Sequence, residues 1–197
     1  MIGIVNYGAG NIFSLTSALE RLNLPFGMVN EETDLEKYTH IIIPGVGHAG
    51  SAMRKLRQTG LVEPIKALKK PVLGICVGMQ LITAHSEEGD ADMMNIVPVK
   101  TRLFDKTQGI KIPHMGWNNI QHKNNPLFEG VENASQFYFV HSYFIEYNPT
   151  FDIAAANYGM PFSAAVQKDN FYGVQFHPEK SGSAGERVLK NFSNLKQ

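Results

Sequence analysis

Along the first half of the chain, short apolar runs alternate with amphipathic stretches. Ile2–Val5, Phe26–Val29, His40–Ile43 and Val72–Ile75 are brief and bounded by Gly or Pro, as strands buried on both faces are. After the first run, Gly8, Gly10 and Asn11 form a turn with Asn11 as helix N-cap. Ile12, Leu15, Leu19 and Leu22 then recur at helical spacing until Pro25. Helices are also expected over 49–57 and 61–68, so strands and crossover helices alternate as in a parallel sheet. After about Gly89 the pattern changes. Aromatic and β-branched stretches at 136–145, 153–156 and 172–176, separated by turn-like clusters, suggest antiparallel additions. A closing helix over 184–195 would put Val188, Leu189 and Phe192 on one face. The expected architecture is α/β, a mostly parallel central sheet flanked by helices with added antiparallel strands. Without repeats or linker-like segments, residues 1–197 read as a single domain.

Composition narrows the partners. A chain of 197 residues with 43% hydrophobic content builds one sizeable core, and 18 Lys+Arg against 18 Asp+Glu leave no net field to attract nucleic acid or an anionic membrane. Any partner must be recognised locally. The single Cys excludes an intrachain disulfide, and the first ten residues lack the basic and apolar regions of a secretory signal. No apolar run reaches membrane-spanning length. A soluble, cytoplasmic, reducing setting is expected.

The lone cysteine stands where a strand gives way to a helix expected over 77–85. In Gly74-Ile75-Cys76-Val77-Gly78, small residues two before and two after Cys76 allow a sharp turn and close approach of a substrate, the form of a nucleophile elbow. A helix N-terminus favours thiolate over thiol and aims the Val77 N–H at an incoming oxyanion. A lone Cys among apolar neighbours is also commonly a small buried hydrophobe.

Phe171 to Glu179 supplies the complement. A strand runs into His177, Pro178 holds the chain extended, and positions i and i+2 of an extended chain project to one side. Glu179 would then orient one ring nitrogen of His177 and leave the other free to deprotonate a thiol, the nucleophile–base–orienter relation of a triad. Cys76 and His177 lie 101 residues apart, so only a folded sheet brings them together. The alternatives are a surface turn or half of a metal site. His40, His48, His85, His114, His122 and His141 show no paired spacing on one element, so no metal is expected. The acid follows the His along the chain, unlike the order in α/β-hydrolases.

His40–Ile43 leads into Pro44-Gly45-Val46-Gly47, where glycines on both sides free the Val46 peptide to become a second oxyanion donor beside Val77. Together the motifs at 44–47, 74–80 and His177-Pro178-Glu179 resemble the class I (triad) glutamine amidotransferases in order and spacing over the whole chain. Asn6 to Asn11, Pro113 to Asn118 and Phe139 to Tyr143 look like the family of glutaminase subunits of imidazole glycerol phosphate synthase. The resemblance implies a flavodoxin-like amidotransferase fold, with Cys76 as nucleophile, His177 as acid/base and Glu179 as its orienter. It implies oxyanion donors at Val46 and Val77, and glutamine contacts from Gly47, Gln80, Glu88, Ser142 and Tyr143. It further implies no cofactor, L-glutamine as substrate, and ammonia passed to a (β/α)8-barrel cyclase in a heterodimer that docks near Asn11, Trp117, Tyr138 and Lys180. From the residues themselves, those last four read as cap, core, core and solvated charge. Glu88 is expected to follow the C-terminal end of the elbow helix, where the macrodipole disfavours a carboxylate unless a substrate amine offsets it. Val77 stands where the family more often has Leu, a difference that leaves the backbone donor intact.

Other readings remain open. A stand-alone cysteine hydrolase would use the same nucleophile on a peptide or ester, and paralogous subunits that supply ammonia for surface-sugar biosynthesis carry similar motifs. A nucleotide-binding module is disfavoured, because Gly8-Ala9-Gly10-Asn11 lacks the third glycine and no acidic residue ends the second strand.

Overall fold

The computed structural model describes residues 1–196 apart from Lys106 and Gln108. Strands β1 (Ile2–Val5), β2 (Phe26–Val29), β3 (His40–Ile43) and β4 (Val72–Ile75) form over the four apolar runs, joined by α1 (Ile12–Arg21), α2 (Ala49–Gln58) and α3 (Val62–Lys66). After β4 come α4 (Val77–Leu81), β5 (His85–Ser86), β6 (Ala91–Asp92), β7 (Lys100–Leu103), β8 (His114–Asn119), β9 (Gln121–His122) and β10 (Gln136–His141). The chain then forms β11 (Tyr143–Ile145), β12 (Asp152–Asn157), β13 (Pro161–Lys168), β14 (Phe171–Val174) and α5 (Gly182–Asn194).

The main sheet runs β2-β1-β3-β4-β14-β13-β11-β7-β5-β6, with β12 on β13 and β9 on β12. From β2 to β14 every pairing is parallel, and β13 then turns the sheet antiparallel. Ile4, Val5, Ile41, Ile42, Ile43, Val72 and Leu73 have no accessible surface, because crossover helices cover both faces of the parallel part. Leu15, Ala18 and Leu19 seal α1 onto it, and Val188, Leu189 and Phe192 seal α5. β8 and β10 form a separate antiparallel ribbon, with Trp117 opposite Tyr138 and His114 opposite His141. No described helix is long and apolar enough to cross a membrane.

Four local expectations need correction. Helix α1 stops before Pro25, because Asn23 adopts φ 54° and the Leu24 and Asn23 amides donate to the Leu19 and Glu20 carbonyls, capturing the helix end. The elbow helix ends at Leu81 rather than near His85. The Thr83 hydroxyl donates to the Gln80 carbonyl, and the Ala84 amide donates to Val99, drawing the chain into sheet pairing. Segment 172–176 is strand only as far as Val174, within β14, which is parallel to β4 on one side and antiparallel to β13 on the other. Segment 136–145 is two strands, β10 in the ribbon and β11 in the main sheet, divided at Ser142.

Candidate active site

Cys76 sits between β4 and α4 with φ 54° and ψ −110°, a left-handed conformation that costs a non-glycine residue on the order of 1–3 kcal/mol. Surrounding contacts enforce it: the Cys76 amide donates to Val174 in β14, and the Cys76 carbonyl accepts from the Gln80 amide. The flanking glycines serve the protein's own backbone rather than a substrate's. A Cβ on Gly78 would collide with the Ile43 carbonyl, and one on Gly74 with the Gly78 carbonyl. A Cβ on Gly45 would lie 2.5 Å from the Gly78 nitrogen, so the 44–47 loop rests directly on the first turn of α4. Tyr7, buried at the end of β1, ties down the same loop by donating its hydroxyl to the Pro44 carbonyl at 2.6 Å. Burial and the Cys76 sulfur nearby raise the Tyr7 pKa well above the usual phenol value, keeping it a donor.

His177 Nδ1 lies 2.8 Å from Glu179 Oε1; the carboxylate can only accept, so Nδ1 carries the proton. Both side chains are buried, and His177 Nε2 has no hydrogen-bond partner, although it shares a cleft with Cys76. Burial lowers the proton affinity of this imidazole, but the Cys76 sulfur and Glu179 outweigh it and push its pKa up to about 10. The expected juxtaposition of His177 and Glu179 arises differently from the extended chain foreseen. His177 is extended, but Pro178–Lys180 form a 3-10 turn, for which the fixed φ of proline at the first position is equally suited. The turn is pinned to the ribbon: the His177 amide donates to Tyr138, and the Ser181 hydroxyl donates to the His177 carbonyl while accepting from the Tyr138 amide.

One cleft of about 160 Å³ is lined by Val46, Gly47, Cys76, Val77, Gln80, Glu88, Ser142, Tyr143 and His177, while Glu179 stands behind His177. As the first residue of α4, Val77 has an N–H with no acceptor within the helix. Gly47, at φ 86°, turns the loop carrying Val46 over the cleft. Gln80 uses its amide nitrogen internally, donating to the Tyr143 carbonyl and Gln175 Oε1, and leaves its own Oε1 unpartnered. Glu88 corrects the electrostatic expectation. It accepts the Ala49 amide at 2.6 Å, at the N-terminus of α2, where the macrodipole favours a carboxylate.

The other predicted residues lie outside the cleft. Asn11 caps α1, accepting the Ser14 amide and donating to the Ser14 hydroxyl. Trp117 is not core; it is 55% exposed on β8 and meets Tyr138 edge-on at 6.1 Å. Tyr138 is half-buried, with the Lys180 ammonium 5.8 Å above its ring. Trp117 and Lys180, the last residue of the 3-10 turn, thus both approach the Tyr138 ring. Sequence reasoning missed Tyr7, Gln175, Val140 and His141. Gln175 donates to the Cys76 sulfur at 3.6 Å, and Val140 and His141 complete the cleft wall. The alternation of 136–141 carried a signal for the wall but not for which residues face the sulfur.

A thiol at a strained strand-to-helix turn, an imidazole with one free nitrogen and a carboxylate oriented on the other define a triad hydrolase on an α/β sheet. Residues 3–195 match the model of the glutamine amidotransferase class-I family, and the chain belongs to that family. Within it, the imidazole glycerol phosphate synthase subunit HisH of Bacteroides thetaiotaomicron is 49% identical over 197 residues, spanning 98% of this chain and 99% of its own. The subunit of that name from Haemophilus influenzae is 46% identical over 192 residues, spanning 97% and 96%. Among solved structures, a glutamine amidotransferase superposes with a TM-score of 0.74 at 15% identity, covering 97% of this chain and 96% of its own. PurLQS from Thermotoga maritima superposes at 0.70 and 19% identity, covering 98% and 97%. These two show the same fold.

Proposed function

We propose that the chain, acting as one domain in the cytoplasm, is the glutaminase subunit of an imidazole glycerol phosphate synthase, supplying ammonia for histidine biosynthesis. The observation that carries this reading is the cleft that Cys76 and His177 both line with Val46 and Gly47, the Nε2 of His177 being unpartnered and Glu179 fixing the opposite ring nitrogen. The Cys76 sulfur bonds to the side-chain amide carbon of L-glutamine, and the Val46 and Val77 amides hold the resulting oxyanion. His177, carrying the thiol proton, gives it to the departing nitrogen; the C–N bond breaks, ammonia leaves and a glutamyl thioester remains. His177 then takes a proton from water as the water oxygen attacks, the C–S bond breaks, and glutamate is released. Gly47, Gln80, Glu88, Ser142 and Tyr143 surround the space the amino acid would fill. Trp117, Tyr138, Lys180 and Asn11 face the (β/α)8-barrel cyclase.

Purified chain mixed with a barrel cyclase and its ligand should release glutamate from glutamine faster than the chain alone. Cys76→Ala should abolish release while binding the barrel as tightly. Retained hydrolysis in that variant, or a wild-type complex inert toward glutamine, would overturn the assignment.

A further inference from the structure

His114 and His141, which take no part in the chemistry above, face each other across the β8–β10 ribbon and are both buried. Their hydrogen bonds fix their protons. The Tyr143 carbonyl can only accept, so His141 Nδ1, 2.8 Å away, carries a hydrogen. In the neutral ring Nε2 is then an acceptor, and its partner at 2.9 Å, His114 Nδ1, must donate. His114 Nε2 accepts in turn from the Asn118 amide at 3.3 Å. Aromatic rings hold both planes: His114 stacks on Tyr158 and Phe139, and His141 packs against Phe104 and Phe162. The Tyr143 carbonyl at the inner end also accepts from Gln80, whose amide continues through Gln175 to the Cys76 sulfur.

We propose that His114 and His141 form a neutral, tautomer-locked positioning strut that sets the Ser142–Tyr143 wall of the cleft from strand β8, whose opposite face carries Trp117. Burial supports the neutral state, lowering the pKa of His114 to about 4 and of His141 to about 3, with His177 across the cleft further disfavouring a proton on His141. Among the described residues, the titratable side chains that bear on the pair are Tyr158, stacked on His114, and His177, which lines the same cleft as His141. The kinetic half of the proposal rests on the glutaminase reading; the tautomer half does not.

Nitrogen-15 NMR of the imidazoles in the full wild-type chain should show both rings protonated at Nδ1 only, unchanged between about pH 5.5 and about 8.5. An Nε2–H tautomer at either ring, or titration inside that range, would overturn the strut. In the presence of the barrel, His114→Leu, which leaves His141 Nε2 unpaired, should raise KM for glutamine about tenfold with kcat within about twofold. His114→Asn, which keeps a donor near the Nδ1 position, should stay within about twofold of wild type in both. Equal effects in the two variants, or an unchanged KM in both, would reduce the pair to packing. If the wild-type complex hydrolyses no glutamine, the functional assignment fails while the NMR result still decides the strut.

Discussion

Replacing Glu179 by Gln keeps the shape of the side chain and an oxygen that can accept from His177 Nδ1, but removes the charge. Both groups are almost wholly buried, with side-chain exposures of 1% for His177 and 4% for Glu179, so water does not take over the carboxylate's role. A charge-assisted hydrogen bond contributes about 1.5–3 kcal/mol, corresponding to about 10- to 150-fold in rate if it is needed in the transition state. The pH dependence follows from the same contact. With Cys76 and Glu179 raising it, the His177 pKa reaches about 10, so the proton needed by the leaving nitrogen is retained across neutral pH and turnover falls as pH rises through that value. Without the Glu179 charge, one of the two stabilising neighbours is gone and the alkaline limb moves to lower pH. The assay is glutamate release by the barrel-stimulated complex across a pH series. Turnover within twofold of wild type, or a slowed enzyme whose alkaline limb has not moved, would refute the assigned role.

Tyr7→Phe removes a 2.6 Å buried hydrogen bond and leaves the Pro44 carbonyl unpaired, which should lower unfolding free energy by about 1–3 kcal/mol in denaturant titration and reduce kcat as the 44–47 loop loosens. Asp152, buried in β12 with Oδ1 unpartnered, has its pKa raised to about 7 by burial, partly offset by Ser163 and Lys123. The folded chain therefore holds this proton more tightly than the unfolded chain does, and stability is lost as pH rises from about 4 through about 7. Asp152→Asn should gain in Tm relative to wild type over that interval; a difference constant with pH would refute the shift. Trp117→Ala removes an exposed ring and should leave Tm within about 2 °C, because surface changes away from special contacts cost little, yet weaken barrel binding at least tenfold by titration calorimetry. Unchanged affinity would place the docking face elsewhere.

The parallel half of the fold was legible because each of its strands is a short apolar run enclosed by chain-breaking residues, and burial on both faces leaves little competition for such runs. Boundaries set by hydrogen bonds to distant strands were not. Val99, which captures the Ala84 amide and shortens the elbow helix, lies 15 residues on, and no local periodicity announces it. The triad residues were found because their chemistry is written in adjacent residue types: glycines around Cys76, Pro-Glu after His177. Glu88 was assigned the wrong electrostatic setting, since its companion is the N-terminus of α2, 39 residues earlier in the chain. His114 and His141 escaped notice for a related reason. Spacing along one element does not reveal them, because they meet across two strands whose connection, residues 120–135, passes through β9.

The contact between Gly45 and Gly78, main chain against main chain, also bears on redesign. Grafting a different acyl pocket by exchanging the 44–47 segment alone would leave its new curvature jammed against an unchanged nucleophile turn, and exchanging only the turn would meet the same obstacle. The two segments are transferable as a matched cassette, and a library that varies one while freezing the other must preserve this close main-chain approach.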